Sequence, residues 1–463
     1  MAVGRRARRA LCSGMVAAAL ALGLAHAPPA IAADLGGNCC GDLEERIADL
    51  EATTARKGNR KVSLTVSGWI NEALFWWDDG TQQNVYEGTN MVEQSRVKFL
   101  GEAKIDKDWS AGYLLEIAVQ GHPSREWNQF TSNSVSSNPN NKDDATFPRK
   151  SYWFLKSKTY GQIAIGLNGM ATYHLLDDAD PTLTRNVDDA EGPPIFMSAF
   201  LIRSNGLFVN NLRWVDVLRG FNNSTPGDAA RREIVRYDSP EWHGLTLSAS
   251  WGESDVWDAA LTYKQTIGDL SVLARTGYGA SNDPGIETKG VPTNYVIGGT
   301  PCISGTAITT SLPNFECTWE GAAAFLQHEP TGLFLYGGWG RQSVHTAHVF
   351  PPGTVFEPDS TTWFIRPGVE KKWCGLGSTE VFANYRHDDP GSNPDRTVSA
   401  SANFYQLGVI QKLEKADMNL YAIYQLANGS IIGNAATAKA GAPIGTTEID
   451  GFQEVITGAK INF

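Results

Sequence analysis

From residue 62 to the end of the chain, apolar and polar side chains alternate. In VSLTVSGWINEALFWW, Val62, Leu64, Val66, Ile70 and Leu74 share one parity, and Ser63, Thr65, Ser67 and Asn71 share the other. In SRVKFLGEAKI, Val97, Phe99, Ala103 and Ile105 alternate with Arg96, Lys98, Glu102 and Lys104. Successive side chains of a strand point to opposite faces, so this rhythm predicts strands with two unlike faces. Paired segments recur, among them KSYWFLKSK with GQIAIGLN, WDAALTYKQ with DLSVLARTGYG, and SANFYQLGVIQKLE with DMNLYAIYQLAN. Sixteen segments fit, most near the roughly 9–11 residues that cross a bilayer at a tilt.

The connections sort by length. KTYG, PEWHG, TIGD, PTG, CGLG and EKAD are tight, whereas 78–94, 121–148, 280–318, 389–400 and 428–451 are long and polar. Short turns on one side and long loops on the other predict an all-β chain. It would form a 16-stranded antiparallel transmembrane barrel with short periplasmic turns and long extracellular loops. The closing strand carries Val455, Thr457, Ala459, Ile461 and Phe463 on one parity. Paired with the first strand, it would leave no open edge in the bilayer. Trp69, Trp76, Trp77, Trp109, Trp153, Trp251, Trp257, Trp363 and Trp373 fall near strand ends, where interfacial aromatics sit.

Composition agrees with this picture without forcing it. A mean hydropathy of −0.26 is what alternation averages to. Arg5, Arg6, Arg8 and Arg9, the apolar run Val16–Leu24 and PPAIAAD read as a signal peptide over 1–33, cleaved after Sec-type export. Removing those four arginines from the 39 basic residues leaves 35 against 50 acidic ones, a net −15. So acidic a chain argues against nucleic acid as a partner. Residues 34–61 form an arm whose Leu43, Ile47 and Leu50 have the spacing of a short coiled-coil-like helix. Cys302 and Cys317 flank a polar stretch, and a loop disulfide or free thiols both fit. Interchain pairing and free thiols are likewise both open for Cys39 and Cys40, and Cys374 has no evident partner. No CxxC pair, phosphate-cradle motif or metal-ligand spacing is present, and His345 with His348 lack a third ligand. Neither a cofactor nor a metal is expected.

Several stretches resemble one family. VITGAKINF resembles the Phe-ending assembly signal of outer-membrane barrels. RYDSPEWHGLTLSASWG and KTYGQIAIGLNG are similar to strand motifs of general trimeric porins. The stretch from GDLEERIADLEATTARKGNRK into the first strand resembles the mature start of alphaproteobacterial, rhizobial-type porins. The resemblance implies a homotrimeric outer-membrane diffusion porin, a barrel over 62–463, and a third external loop folded inward as a constriction. It assigns that loop to about 169–230, with the acidic cluster Asp177, Asp178, Asp180, Asp188, Asp189 and Glu191. It assigns Phe463 and Ile461 to assembly. Partners would be outer-membrane lipid and lipopolysaccharide, the barrel-assembly machinery, and the cell wall through the arm. The apolar segment IFMSAFLIRSNGLFV inside the loop is open to two readings, an anchor on the inner wall or an extension over the rim.

A diffusion pore needs a wet lumen and a transverse field rather than a nucleophile, so no enzyme is expected. The inward parity supplies Arg96, Lys98, Lys150, Arg236, Arg275, Arg366 and Arg386. Facing the acidic loop, these would order water and disfavour bulky apolar solutes; the acidic loop and the net charge together predict weak to moderate cation selectivity. Tyr152, Phe154, Phe364 and Phe382 share the inward parity, which keeps open a substrate-selective channel for sugars or organic ions. A structural barrel tethering membrane to wall, and a secreted β-rich enzyme or carbohydrate-binding module, are the readings from other classes.

Overall fold

The structure is a computed structural model. It describes residues 62–119, 121–131, 146–189, 194–217, 225–252, 255–282, 316–345, 359–389, 391–393, 396–433 and 445–463. The signal peptide, the arm with Cys39 and Cys40, Glu191, Cys302 and His348 lie outside the described residues.

Sixteen antiparallel strands form one closed wall. In chain order they are β1 (Ser63–Asp78), β2 (in two segments, Gln83–Thr89 and Arg96–Lys104), β3 (Trp109–Val119), β4 (Thr146–Ser157) and β5 (Gly161–Gly169). Then come β6 (Arg231–Asp238), β7 (Leu245–Gly252), β8 (Trp257–Ile267), β9 (Leu270–Ser281), β10 (Glu316–His328) and β11 (Leu333–His345). The last five are β12 (Asp359–Lys371), β13 (Thr379–Asp389), β14 (Arg396–Leu413), β15 (Met418–Gly433) and β16 (Gly445–Asn462). Each strand pairs with the next, and β1 pairs with β16 from Trp69↔Asn462 to Asp78↔Gln453, which closes the wall. Phe463 extends that seam: its N–H donates to Gly68 O at 3.0 Å and its carbonyl accepts from Gly68 N at 2.9 Å.

Alternation decides which face meets what. Leu64, Val66, Ile70, Leu247, Leu261, Leu335, Ile365 and Leu407 form an exposed apolar belt outside the wall. Rows of rings border it: Trp257 lies 5.8 Å from Tyr278, and Trp363 and Tyr405 each lie 5.1 Å from Tyr385. Burying such a belt in hydrocarbon while the backbone is paired strand to strand satisfies both halves of the bilayer's demand. Trp69 and Trp77, expected in the aromatic belt, turn inward instead. They share the parity of Asn71 and Phe75, both buried.

Two external connections expected to be long contain substantial strand among their described residues. Within 78–94, only 79–82 is a turn, residues 83–89 pair with β1, and 90–95 bulge into the barrel. Within 428–451, β15 and β16 run on as paired strand to Gly433↔Gly445. Polar composition concealed both, because a wall that rises beyond the membrane is wet on its two faces.

Several inward rings lie flat against the wall. Phe154 faces Gly112, Phe334 faces Gly368, Phe364 faces Gly338 and Phe382 faces Gly408, each a directly opposed cross-strand pair. A Cβ at any of those glycines would run into the ring. The missing side chain makes room for an aromatic to fold down onto the neighbouring strand.

Cys317, at the loop end of β10, and Cys374, in the tight turn between β12 and β13, are each in a disulfide. They stand at opposite rims, so they do not pair with each other.

Candidate functional site

The long connection after β5 runs inside the barrel, and the wall supplies its anchors in sequence. The first anchor is Asp258 on β8, whose carboxylate accepts from Ala171 N at 3.1 Å, Thr172 N at 2.7 Å and Thr172 Oγ1 at 2.6 Å. Trp319 Nε1 donates to the same hydroxyl at 2.8 Å. Further on, Arg275 donates to His174 O, and Tyr336 donates to Leu176 O. Thr184 N and Thr182 Oγ1 each donate to Glu380 at 3.1 Å. Arg366 donates to Asp188 through its backbone oxygen at 2.8 Å and its carboxylate at 3.0 Å. On the return leg, Gly340 leaves room for Pro226, where any Cβ would collide.

The apolar segment resolves as an anchor. Ile195, Phe196, Met197 and Phe200 are buried. Phe200 meets Trp77 and Phe452 at ring separations of 4.9 Å, and Phe75 meets Trp127 at 5.2 Å. Each such ring taken out of water contributes roughly 1.5–3 kcal/mol toward holding the loop in place. Beyond it, the hairpin Leu201–Ser204/Leu207–Arg213 turns on Asn205 and Gly206, at φ of 51° and 76°, as two-residue hairpins require. Asp450 accepts both turn N–H groups, at 2.9 and 2.7 Å.

Arg185, the single cation in the acidic stretch 177–191, gathers the middle of the loop. It reaches Glu93 at 2.7 Å, Asp178 at 2.8 Å, Asp189 at 3.0 Å and Asp177 at 3.6 Å. Glu93 comes from the inward bulge of β2, which also sends Asn90 Nδ2 to Val187 O at 3.0 Å. Arg96 and Arg185 both pair with the Glu93 carboxylate, at 3.1 and 2.7 Å. His174, Asp177 and Asp178 bring three potential metal donors together. Asp177 is already bonded to His174 at 2.5 Å, and Asp178 to Arg185 and Arg275. Two guanidiniums at the same carboxylates oppose a cation there.

Of the predicted loop acids, Asp178 stays exposed at 44 %, while Asp177, Asp180, Asp188 and Asp189 are buried. All seven predicted basic residues lie on the inner parity of their strands. Arg366 and Arg386 are fully covered, the first by Asp188 and the second by Asp388 at 2.8 Å, so neither reaches the water path. Arg236 is held by Asp238 at 2.8 Å and by the carbonyls of Gly169 and Met170. Arg275 bonds the loop, and Lys98 and Lys150 remain half-exposed.

Strict alternation missed Arg149. The register slips between Glu116 and Ile117 on β3, so Arg149 and Lys150 both turn inward. Pro148, a residue that interrupts a ladder, is the sequence signal for that bulge.

A family model described as "Gram-negative porin" matches residues 17–431. The chain belongs to the Gram-negative porin family. The barrel is therefore that of an outer-membrane channel protein. A search of curated proteins returns no match. Among solved structures, this porin resembles an anion-selective porin from Comamonas acidovorans, at 16% identity and a TM-score of 0.52, over 87% of this chain and 100% of the other. It also resembles the trimer form of OmpT, an outer membrane protein of Vibrio cholerae. That match has 14% identity and a TM-score of 0.49, over 87% of this chain and 99% of the other. A Salmonella typhi OmpF complex with daunomycin matches at 12% identity and a TM-score of 0.48, over 87% and 98%. At 16% identity, the likeness to the Comamonas acidovorans porin speaks to the fold alone.

Proposed function

We propose that this porin is a general diffusion channel of the rhizobial type, passing small hydrophilic solutes and ions through a water-filled pore in each subunit of a homotrimer. The observation that carries the reading is a 170–230 loop fastened inside a closed barrel by Asp258, Tyr336 and Arg366. That loop leaves charged, wet side chains on both sides: Asp178 on the loop, Lys98 and Lys150 on the wall. Charges of opposite sign across a narrow, low-dielectric opening orient water and penalise solutes that must shed hydration. Nothing in this chemistry requires a nucleophile or a cofactor.

The flattened rings weigh against the selective-channel alternative. Phe154, Phe364 and Phe382 are buried against glycines and offer no face to a passing sugar. We assign Phe463 and Ile461 to barrel assembly, the outer belt to lipid and lipopolysaccharide, and the Cys302–Cys317 pair to an external-loop disulfide. Liposome swelling with neutral sugars of graded size tests the function: rates should fall smoothly with size. Saturable uptake of one sugar alone would contradict general diffusion.

A further inference from the structure

The outer wall is not evenly filled. Across β8 to β12 the register sets small side chains next to one another on the outward parity. Tyr263 on β8 faces Ala274 on β9, Ala274 faces Ala324 on β10, Ala324 faces Gly337 on β11, and Gly337 faces Ile365 on β12. One row nearer the external rim, Leu261 faces Thr276, Thr276 faces Ala322, Ala322 faces Trp339, and Trp339 faces Trp363. The outcome is a trough of about 710 Å³. The alanines and Gly337 make its floor, Leu261 one flank, and Trp339, Trp363 and Ile365 the other. Leu261, Trp339, Trp363 and Ile365 are all exposed, so the trough opens from the apolar belt and is continuous with it.

Its floor is fully paired sheet, and the same stretch of wall is braced from the lumen side, where Tyr336 donates to Leu176 O and Arg275 to His174 O. The hollow is therefore built into the wall. Above the two tryptophans, on the outward parity, Arg341 is paired with Asp359 at 2.8 Å and with Glu320 at 3.7 Å. A guanidinium matched by two carboxylates gives a phosphate headgroup no net attraction at that end.

What surrounds the belt is hydrocarbon. Packing one apolar group on another brings no hydrophobic gain there, because a lipid tail is as apolar as leucine. Contact area still discriminates between places. A convex wall touches a tail along one side, whereas the trough touches it on its floor and both flanks, and an unfilled hollow forfeits those dispersion contacts outright.

We propose that the trough is a binding site for an acyl chain of a membrane lipid, recognised by its tail and not by its headgroup. The inference goes beyond the channel reading and needs only the outer-membrane barrel.

The test uses the purified protein in liposomes doped with phosphatidylethanolamine or phosphatidylglycerol whose acyl chain carries a photoactivatable diazirine. After illumination, peptide mapping should place severalfold more label on 322–324 and 337–339 than on Leu247 and Trp251 of β7 or Leu407 of β14, which are at least as exposed. Both headgroups should give the same map. The Ala322→Leu/Ala324→Leu variant fills the floor from the lipid side, where both alanines are exposed. It should bring the trough down to the level of β7 while single-channel steps persist. Label spread evenly over the belt, label that follows one headgroup, or label unchanged in the variant overturns the site, and the first two outcomes need no variant. Label that enters the trough only after subunits are dissociated also overturns it and gives the trough to a second copy of this chain.

Discussion

At the scale of single residues, the site is held by charges placed where water is scarce. Arg185 is the sharpest case, since one guanidinium satisfies four carboxylates from the loop and from the β2 bulge. Arg185→Ala would leave Glu93, Asp177 and Asp189 buried beside one another, a loss of about 3–5 kcal/mol for a broken buried pair. The expected outcome is a folded barrel with a loosened loop, read as noisy single channels of larger mean conductance. Steps identical to wild type would show that the apolar anchor suffices. What the sequence disclosed at this scale was parity: the seven predicted cations all face inward. What it concealed was pairing. Arg366 and Arg386 read the same as Lys98 and Lys150 until the loop and Asp388 cover them, and Arg149 required a bulge that alternation cannot show.

At the scale of elements, glycine and aromatic residues work as cross-strand pairs. The stretch GLFLYGGWG is glycine-rich yet sits on a strand, β11. In the sheet, Gly338 receives the Phe364 ring and Gly340 makes room for Pro226. Gly408→Val should push the Phe382 ring off the wall and into the lumen, lowering conductance while the folded protein is still recovered. Unchanged conductance would mean that the ring finds another place on the wall. The inward loop was placed by the family resemblance, and the anchoring role of its apolar segment became clear only against Phe75, Trp77 and Phe452. The second inward element, the bulge at 90–95, was hidden inside a polar stretch that reads as an ordinary surface loop. The disulfides belong to this scale too. Because Cys317 and Cys374 sit at opposite rims, non-reducing peptide mapping should join Cys317 to Cys302 and Cys374 to a peptide carrying Cys39 or Cys40. A peptide joining Cys317 to Cys374 would contradict the placement of the rims.

At the scale of the whole molecule, strand count, closure and sidedness were all readable, because they follow from a period of two and from the sorting of turn lengths. The chain's net −15 is spread over the whole surface, whereas passing ions meet the charges at the narrowest point. The central claim is a continuous water path through a closed wall that is greasy outside and polar inside. Single-channel recording of the purified protein in planar lipid bilayers over a series of KCl concentrations tests it most directly. Discrete steps whose size rises in proportion to bulk conductivity are the result the account predicts. A protein that inserts into the bilayer yet gives no steps, or steps that saturate at low salt, would contradict it.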